Sequence, residues 1–257
     1  MTSSSPVAGG PATTFLFRPA GERFHSRLDW LDSWHSFSFA GHFDPRWMGF
    51  GPLRVINDDT IAPGRGFDLH PHRDMEIVTV MVEGELTHRD SMGNAEVIRA
   101  GEVQRMSAGT GVVHGEWNEG VVPCRLLQIW IEPASQGIPP AYDQKAFPIG
   151  EDWTPLLDPS GSGDAMAIHR PVRLWRARPA AGASLPLAVA GGRQGWLQLV
   201  EGTVRLEGPD GGVSPATPAD GLLRRGDGLG FESRIDPQPL RLVAGPEGAD
   251  LLLFELV

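Results

Sequence analysis

The sequence predicts an all-β protein made of two tandem β-barrel modules, and three observations support this. The 257 residues include 33 Gly and 23 Pro, which is too many for a helical bundle and typical of short strands joined by turns. Short runs rich in β-branched and apolar residues recur in both halves. Two motifs of the first half, Val82–Glu85 and Ala100–Glu102, recur in similar form roughly 120 positions later as Val200–Thr203 and Arg225–Asp227.

The amino-terminal half contains three consecutive segments that differ in composition. Residues 1–14, rich in Ser, Pro, Ala, Gly and Thr, are predicted to form a disordered tail. Aromatic residues then cluster from Phe15 to about Leu53, as expected for packing under irregular loops. From Arg54 to about Ile131 the sequence predicts strands, at 76–82, 95–98 and 126–131 among others.

A long connection rich in Pro, Gly and Asp follows from Glu132 to about Gly163 and indicates a module boundary. Further strands are predicted at 172–177, 195–200, 203–207 and 250–257. We therefore expect a first module over residues 15–140 and a second over residues 141–257. Chance similarity of the two short motifs remains the alternative to a duplication.

Composition excludes several classes of protein. The net charge of −10 disfavours binding to nucleic acid or to an anionic membrane surface. With Cys124 as the only cysteine, the chain has neither an internal disulfide nor a thiolate metal cluster. No stretch of eighteen apolar residues and no signal-peptide pattern is present, so we expect a soluble, cytoplasmic protein, and a monomer.

Two short motifs indicate a metal site. In His70-Pro71-His72 the two histidines are two residues apart, which places both imidazoles on one face of an extended segment. His114-Gly115-Glu116 repeats this spacing on a later segment. If the pairs face each other in a small barrel, His70, His72, His114 and Glu116 surround one point. Such a set suits Fe(II), Mn(II), Ni(II), Cu(II) or Zn(II) and leaves positions open for substrate and oxygen.

Several neighbouring residues have more than one interpretation. Glu76, four residues after His72, is expected on the same strand face as a fifth ligand or a partner of a ligand. His88 is expected to face solvent or a neighbouring strand. His35 and His42 are more typical of hydrogen-bonded core histidines than of ligands. Asp58 and Asp59 either orient a histidine or shape a turn, and Cys124 is expected to be a small buried hydrophobe.

These segments resemble the cupin superfamily. Gly64, His70, His72 and Glu76 fit its first motif, G-x5-H-x-H-x3-E. Its second motif is approximated by residues of the later segment, namely Gly101, Gly109, Gly111, His114 and Asn118. Ser107 stands where many cupins have Pro, and the turn that leads to His114 is longer than usual.

Where the sequence departs from the general cupin motifs, it resembles one branch of the superfamily, the pirin family. The similarity includes HPHRDME at 70–76, HRDSMG at 88–93, MSAGTG at 106–111 and HGE at 114–116. Bacterial pirin-like proteins also have segments similar to WLDSWHSFSF at 30–39, RVINDD at 54–59 and QIWI at 128–131. The resemblance implies a bicupin, with two double-stranded β-helix (jelly-roll) barrels.

The resemblance also implies how the two barrels differ. The first barrel would hold one metal ion through His70, His72, His114 and Glu116, whereas Glu76 is usually not a ligand in that family. The second would be degenerate, since its only histidine is His169, and we expect no second metal. Fe(II) is the expected ion, with Mn, Ni, Cu, Co and Zn as alternatives.

Family members have been linked to quercetin 2,3-dioxygenase activity, so the leading hypothesis is an oxygenase that cleaves a flavonol with O2. Glu116 would act as the general base that takes the proton of the substrate's 3-hydroxyl. Aromatic residues of the amino-terminal segment would wall a planar substrate, although core packing is an equal alternative for them: Trp34, Phe37, Phe39 and Phe50.

Two other functions stay open. A metal-bearing regulatory protein could bind a protein partner and report redox state, because a change of oxidation state alters the local charge. The acidic balance favours a protein partner over DNA in that case. A structural or storage cupin without metal is the weaker alternative, because four convergent ligands would then have no purpose.

Overall fold

The structure is a computed structural model, and it describes residues 15–208, 218, 220–232 and 240–257. The predicted disordered tail at 1–14 lies outside the described residues. The strands of the first half are β1 (Phe15–Arg18), β2 (Phe24–Arg27), β3 (Leu31–His35), β4 (Leu53–Ile61), β5 (Arg65–His72), β6 (Glu76–Glu83), β7 (Glu85–Asp90), β8 (Ala95–Arg99), β9 (Glu102–Ser107), β10 (Val112–Asn118), β11 (Cys124–Ile131) and β12 (Ala141–Ala146).

The second half contributes β13 (Thr154–Asp158), β14 (Met166–Ala167), β15 (Arg173–Ala177), β16 (Ser184–Leu187), β17 (Gln194–Glu207), β18 (Leu222–Arg224), β19 (Gly228–Glu232) and β20 (Leu240–Leu256). In the described part of the chain, the helical elements are two short 3-10 turns, Ala20–Glu22 and Pro45–Trp47. No helix in the described ranges has the length and apolar character needed to cross a membrane.

The amino-terminal module consists of two sheets that enclose a cavity. Seven strands form one sheet in the order β12-β9-β6-β11-β4-β3-β2, and four form the other in the order β5-β10-β7-β8. Alternation along β4 turns Asn57, Asp59 and Ile61 inward, while Ile56 joins the hydrophobic core behind the sheet. One side of the large sheet therefore lines the cavity, and the other packs against the second module.

The carboxyl-terminal module is one sheet whose main path runs β1-β19-β17-β20-β15-β13-β14, with β16 on β20 and β18 on β17. Two strands join the sheet of the other half: β1 pairs with β19, and β12 pairs with β9. The division into 15–140 and 141–257 stays a prediction. These two pairings show that the chain crosses from one module to the other close to residues 15 and 141, where the two modules are predicted to begin.

The repeated motifs adopt matching backbone conformations. Gly84 and Gly202 have φ of 71° and 73°, and Gly101 and Gly226 have φ of 89° and 87°. These left-handed values favour glycine. At Gly84 a Cβ would also lie 2.9 Å from the Cβ of Cys124, and at Gly202 one would lie 2.2 Å from the carbonyl oxygen of Gly248. The equivalent turns support the predicted duplication.

A continuous apolar core joins the two modules. It includes outward-facing residues of the seven-stranded sheet, such as Ile56 and Leu127, and Trp196, Leu252 and Phe254 of the second module. The amino-terminal aromatic segment contributes as well: the ring centroids of Phe37 and Phe50 lie 4.9 and 5.4 Å from that of Trp196. Because this apolar core contains residues of both modules, we expect the two modules to unfold together.

Candidate metal centre

Three imidazoles meet where β5 and β10 run side by side. The antiparallel register places His114 opposite His70, and His72 lies two residue pairs further along the same ladder, opposite Val112. The ring centroids are separated by 4.6 Å for His70 and His114, 4.8 Å for His70 and His72, and 5.0 Å for His72 and His114. One nitrogen of each ring lies within 4.8 Å of the other two, so the three can share one ion.

Glu116 lies beside His114 but belongs to a second group. Its carboxylate and one nitrogen each of His88 and His114 also lie within 4.8 Å of one another. A register shift between His114 and Glu116 interrupts the ladder with β5, so Glu116 pairs with Phe67. The four predicted ligands therefore form two overlapping groups that share His114, and their joint role in binding one ion stays a prediction.

The buried carboxylate of Glu116 is held at both oxygens. Gln104 donates to Oε1 at 3.1 Å, and Gln128 donates to Oε2 at 2.8 Å. Burial alone would raise the pKa of Glu116, but the interactions with His88, His114 and Gln104 outweigh it and hold the pKa at about 2. Glu116 is therefore ionised at any working pH.

The histidines are prepared to bind a cation. Burial is the largest cause that lowers the pKa of His72 and His114 to about 4, so both rings are neutral and have a free lone pair. Nδ1 of His70 lies 2.7 Å from the carbonyl oxygen of Asp68, which leaves Nε2 available. Within the described chain, neither ring nitrogen of buried His114 has a hydrogen-bond partner. An unpaired buried polar group costs roughly 1–3 kcal/mol, so these residues fit a bound divalent ion.

A row of polar side chains crosses the large sheet behind Glu116, and we call it the polar layer. Five adjacent strands contribute one inward residue each, and the register pairs them in the order His35, Asn57, Gln128, Thr79 and Gln104. Thr79 donates to Gln128 at 3.2 Å and accepts from Gln104 at 3.3 Å. The layer thus fixes the two amides that orient the carboxylate.

His88 also faces this centre. It is fully buried, its Nε2 lies 3.1 Å from Asp90 Oδ2, and its Nδ1 lies 3.8 Å from Glu116 Oε1. Burial opposes protonation, yet the two carboxylates outweigh it and raise the pKa of His88 above its usual value. Of the two positions expected for His88, the structure supports the neighbouring strand and not the solvent.

The cavity that opens on the imidazoles has a volume of about 310 Å³, within the size range of small-molecule sites. Its walls are largely apolar and aromatic, with Phe39, Phe67 and Trp130 among them. Trp130 packs edge-on against both His72 and Phe39, at centroid distances of 4.9 and 5.4 Å. A planar aromatic molecule bound in this cavity would contact these aromatic rings.

Comparison with known proteins identifies the family. The Pirin family profile matches residues 17–131, and that of the quercetinase C-terminal cupin domain matches residues 156–256. The quercetin 2,3-dioxygenase of Escherichia coli (strain K12) is 44% identical over 240 residues, which cover 93% of this chain and 97% of that protein. The chain belongs to the pirin family.

A pirin-like protein of Caulobacter vibrioides is 43% identical over 183 residues, covering 70% of this chain and 79% of its own. Among solved structures, the bacterial pirin YhhW of Escherichia coli in complex with nickel(II) matches with a TM-score of 0.84 and 39% identity, over 95% of this chain and 99% of that one. The predicted pirin resemblance and bicupin fold are confirmed.

Of the four aromatic residues expected to wall the substrate of this pirin, only Phe39 lines the cavity. Phe37 and Phe50 pack on Trp196 between the modules. Trp34 stacks on His25 at 3.9 Å, on the other side of its strand. The structure thus supports core packing for Phe37 and Phe50 and an outer position for Trp34, while substrate contact by Phe39 stays a prediction.

The expectation that Glu76 shares a face with His72 was wrong. Asp74 has φ of 48°, so the turn between β5 and β6 breaks the alternation on which the expectation relied. Glu76 points away from the cavity, accepts a hydrogen bond from Ser107 at 2.8 Å and lies 3.5 Å from His169. It is therefore not a ligand here, in agreement with what the family resemblance implied.

Asp58 and Asp59 do not shape a turn, because both lie inside β4. Asp58 forms a buried ion pair with Arg125 at 2.7 Å, whereas Asp59 faces the cavity and accepts from Ser33. His35 is a buried, hydrogen-bonded histidine, as expected. Cys124 is buried among apolar residues, and burial raises the pKa of its thiol to about 11.

Asp59 gives a testable pH dependence. Burial is the main cause that raises its pKa from 3.8 to about 7, which corresponds to about 4 kcal/mol. The folded state holds the proton of Asp59 more tightly than the unfolded chain does. The contribution of this proton to the free energy of unfolding is therefore fully present below about pH 4 and is lost as the pH rises towards 7. In metal-free protein, we expect Asp59→Asn to become progressively more stable than wild type between pH 5 and 8. Urea unfolding at each pH measures the difference, and parallel curves would contradict it.

Proposed function

We propose that this chain is a metal-dependent dioxygenase of the pirin type that cleaves a flavonol such as quercetin with O2. The observation that carries the proposal is a cavity with apolar and aromatic walls that is lined at one end by three imidazoles and one buried glutamate, namely His70, His72, His114 and Glu116. The quercetin 2,3-dioxygenase of Escherichia coli is similar over almost the whole chain, which supports it.

In this proposal His70, His72, His114 and Glu116 hold one divalent ion, Fe(II) first, with Mn, Ni, Cu, Co or Zn as alternatives. Nickel(II) in the related pirin YhhW supports a divalent ion in general. A bound ion supplies the Lewis acidity that lowers the pKa of a substrate hydroxyl. The protein partner, the monomeric state and the cytoplasmic location stay predictions.

Glu116 is the proposed general base. Its carboxylate is ionised and can accept the proton of the substrate's 3-hydroxyl. Gln104 and Gln128 fix its direction, so the acceptor oxygen does not need to reorient during the transfer. Phe39, Phe67 and Trp130 exclude water from that end of the cavity and orient a planar ring system.

The test is oxygen uptake with quercetin under air by protein loaded separately with Fe, Mn, Ni, Cu and Co. We expect wild type to consume oxygen with at least one metal and Glu116→Gln to lose at least about a hundredfold in kcat, the usual minimum contribution of a general base. Metal content is measured on each sample, so that loss of the ion is distinguished from loss of the base.

Glu119→Gln is the matched control, because Glu119 directly follows the same strand, β10, is half-exposed and pairs with Arg89 on the surface. It should retain wild-type turnover. Failure of wild type to consume oxygen with any metal would overturn the proposed activity.

A further inference from the structure

The cavity contains polar groups that the proposed reaction does not use. Ser33, His35, Asn57 and Asp59 project into it from β3 and β4 of the seven-stranded sheet. The three histidines of the metal centre lie on β5 and β10 of the four-stranded sheet. A molecule that fills the cavity therefore meets polar groups on both sheets.

The hydrogen bonds around Asn57 have a definite direction. The amide Oδ1 can only accept, so His35 Nδ1, at 2.8 Å, is the donor. His35 Nε2 must then accept from Ser26 Oγ at 2.8 Å. Burial lowers the pKa of His35 and keeps this neutral tautomer. Because its oxygen is occupied in this way, Asn57 presents its amide NH2 to the cavity as a donor.

Asp59, two residues further along β4, lies on the same face as Asn57. Its Oδ1 accepts a hydrogen bond from Ser33, and within the described chain Oδ2 has no protein donor. No ion pair among the described residues includes Asp59, in contrast to Asp58 with its Arg125 partner. Asn57 and Asp59 thus offer one donor and one acceptor side by side.

The fold does not require a carboxyl group at position 59. Leu31 of β3 and Leu126 of β11 are buried close to it in the same cluster of strands. A leucine there would extend this apolar cluster without the cost of a buried carboxyl. A cavity-facing polar group that is costly to bury and unnecessary for packing indicates a ligand-binding role.

We propose that Asn57 and Asp59 form a subsite, the hydroxyl subsite, which binds ring hydroxyl groups of the flavonol while its 3-hydroxyl end lies at the metal centre. This inference rests on the proposed function and adds a substrate class to it, polyhydroxylated flavonols. A subsite built to hydrogen-bond a hydroxyl discriminates against an analogue that lacks it, because the protein groups are then left unpaired.

The experiment compares two ligands, quercetin and 3-hydroxyflavone, which share the 3-hydroxyl and the carbonyl but differ in the ring hydroxyls. Dissociation constants are measured without oxygen, by quenching of tryptophan fluorescence, on protein loaded with Ni(II). We expect wild type to bind quercetin at least tenfold more tightly. Asp59→Leu should weaken quercetin binding about tenfold, as loss of one hydrogen bond to a carboxyl group predicts, and change 3-hydroxyflavone binding less than twofold.

Two further variants control for structural effects. Asp59→Asn keeps an acceptor for Ser33 and a polar group in the cavity, so it should retain most of the preference for quercetin. Thr60→Val changes the next residue of β4, which lines a separate polar pocket with Arg23 and Trp34, and should match wild type with both ligands. The thermal midpoint of Asp59→Leu should equal or exceed that of wild type, which excludes unfolding as the cause.

The outcomes separate the two proposals. If wild type binds neither ligand, the proposed function fails and the hydroxyl subsite with it. If wild type binds both ligands but Asp59→Leu weakens both equally, or weakens neither, the proposed function stands and the hydroxyl subsite is overturned.

Discussion

His114→Ala is expected to purify without metal and to show no measurable turnover of quercetin. His114 is common to both groups of candidate ligands, and both of its ring nitrogens are buried without a hydrogen-bond partner among the residues that the structure describes. Its removal therefore breaks both groups of three donor residues found among the described residues, and leaves the proposed ion without its central imidazole. Changes of residues that only support a ligand cost about 10–100-fold in metal affinity, and loss of a ligand should exceed that. Elemental analysis of protein dialysed against a weak chelator measures the effect.

The control for this result is His25→Ala. His25 stacks on Trp34 and pairs with Asp32 on the outer side of β2 and β3, so its loss removes an imidazole without touching the cavity. It should keep the metal content of wild type. If His114→Ala retained a full equivalent of metal, the proposed ligand set would be wrong.

Local spacing predicted one part of the candidate metal centre, the shared face of His70 and His72. Residues two apart on one strand share a face, and this rule requires no knowledge of the partner strand. It predicted that His70 and His72 lie on one face, and it applies equally to His88 and Asp90, which lie two residues apart on β7. The same rule failed at Glu76, because Asp74 in the left-handed region ends the extended conformation between His72 and Glu76.

The polar layer and the hydroxyl subsite could not be predicted from local patterns. His35, Asn57, Gln128, Thr79 and Gln104 become neighbours only through the register of five strands that are distant in sequence. No periodicity within one segment encodes that register. The sequence did show the repeated glycine turns, and the matching backbone conformations of these turns agree with the predicted duplication.

The aromatic segment from Phe15 to about Leu53 shows a second limit of prediction from sequence alone. Its composition predicted buried rings, but burial in a core and burial in a cavity wall produce the same pattern in sequence. What separates them is the second module, since Trp196 supplies the surface on which Phe37 and Phe50 pack. The amino-terminal segment therefore contributes Phe39 to the cavity, and Phe37 and Phe50 to the junction between the modules.

Trp196→Ala tests this junction and should have the largest effect on stability. Its side chain is fully buried, contacts Phe37 and Phe50, and donates to Gln198 at 3.3 Å. Replacement of a buried aromatic residue by alanine costs about 3–5 kcal/mol, because the neighbours cannot fill the space. We expect that loss in urea unfolding followed by circular dichroism, and a separation of the single transition into two as the modules uncouple.

Trp34→Ala provides the comparison, because Trp34 is a partly exposed tryptophan of the same segment that packs on His25 and Arg23. It should lose at most about 2 kcal/mol and retain one transition, since the atoms it loses are partly in contact with water already. Equal losses for the two variants would show that the core between the modules does not couple them. A large loss for Trp196→Ala with one transition retained would mean instead that the remaining contacts between the modules, which include the ion pair of Arg125 with Glu201, are sufficient to hold them together.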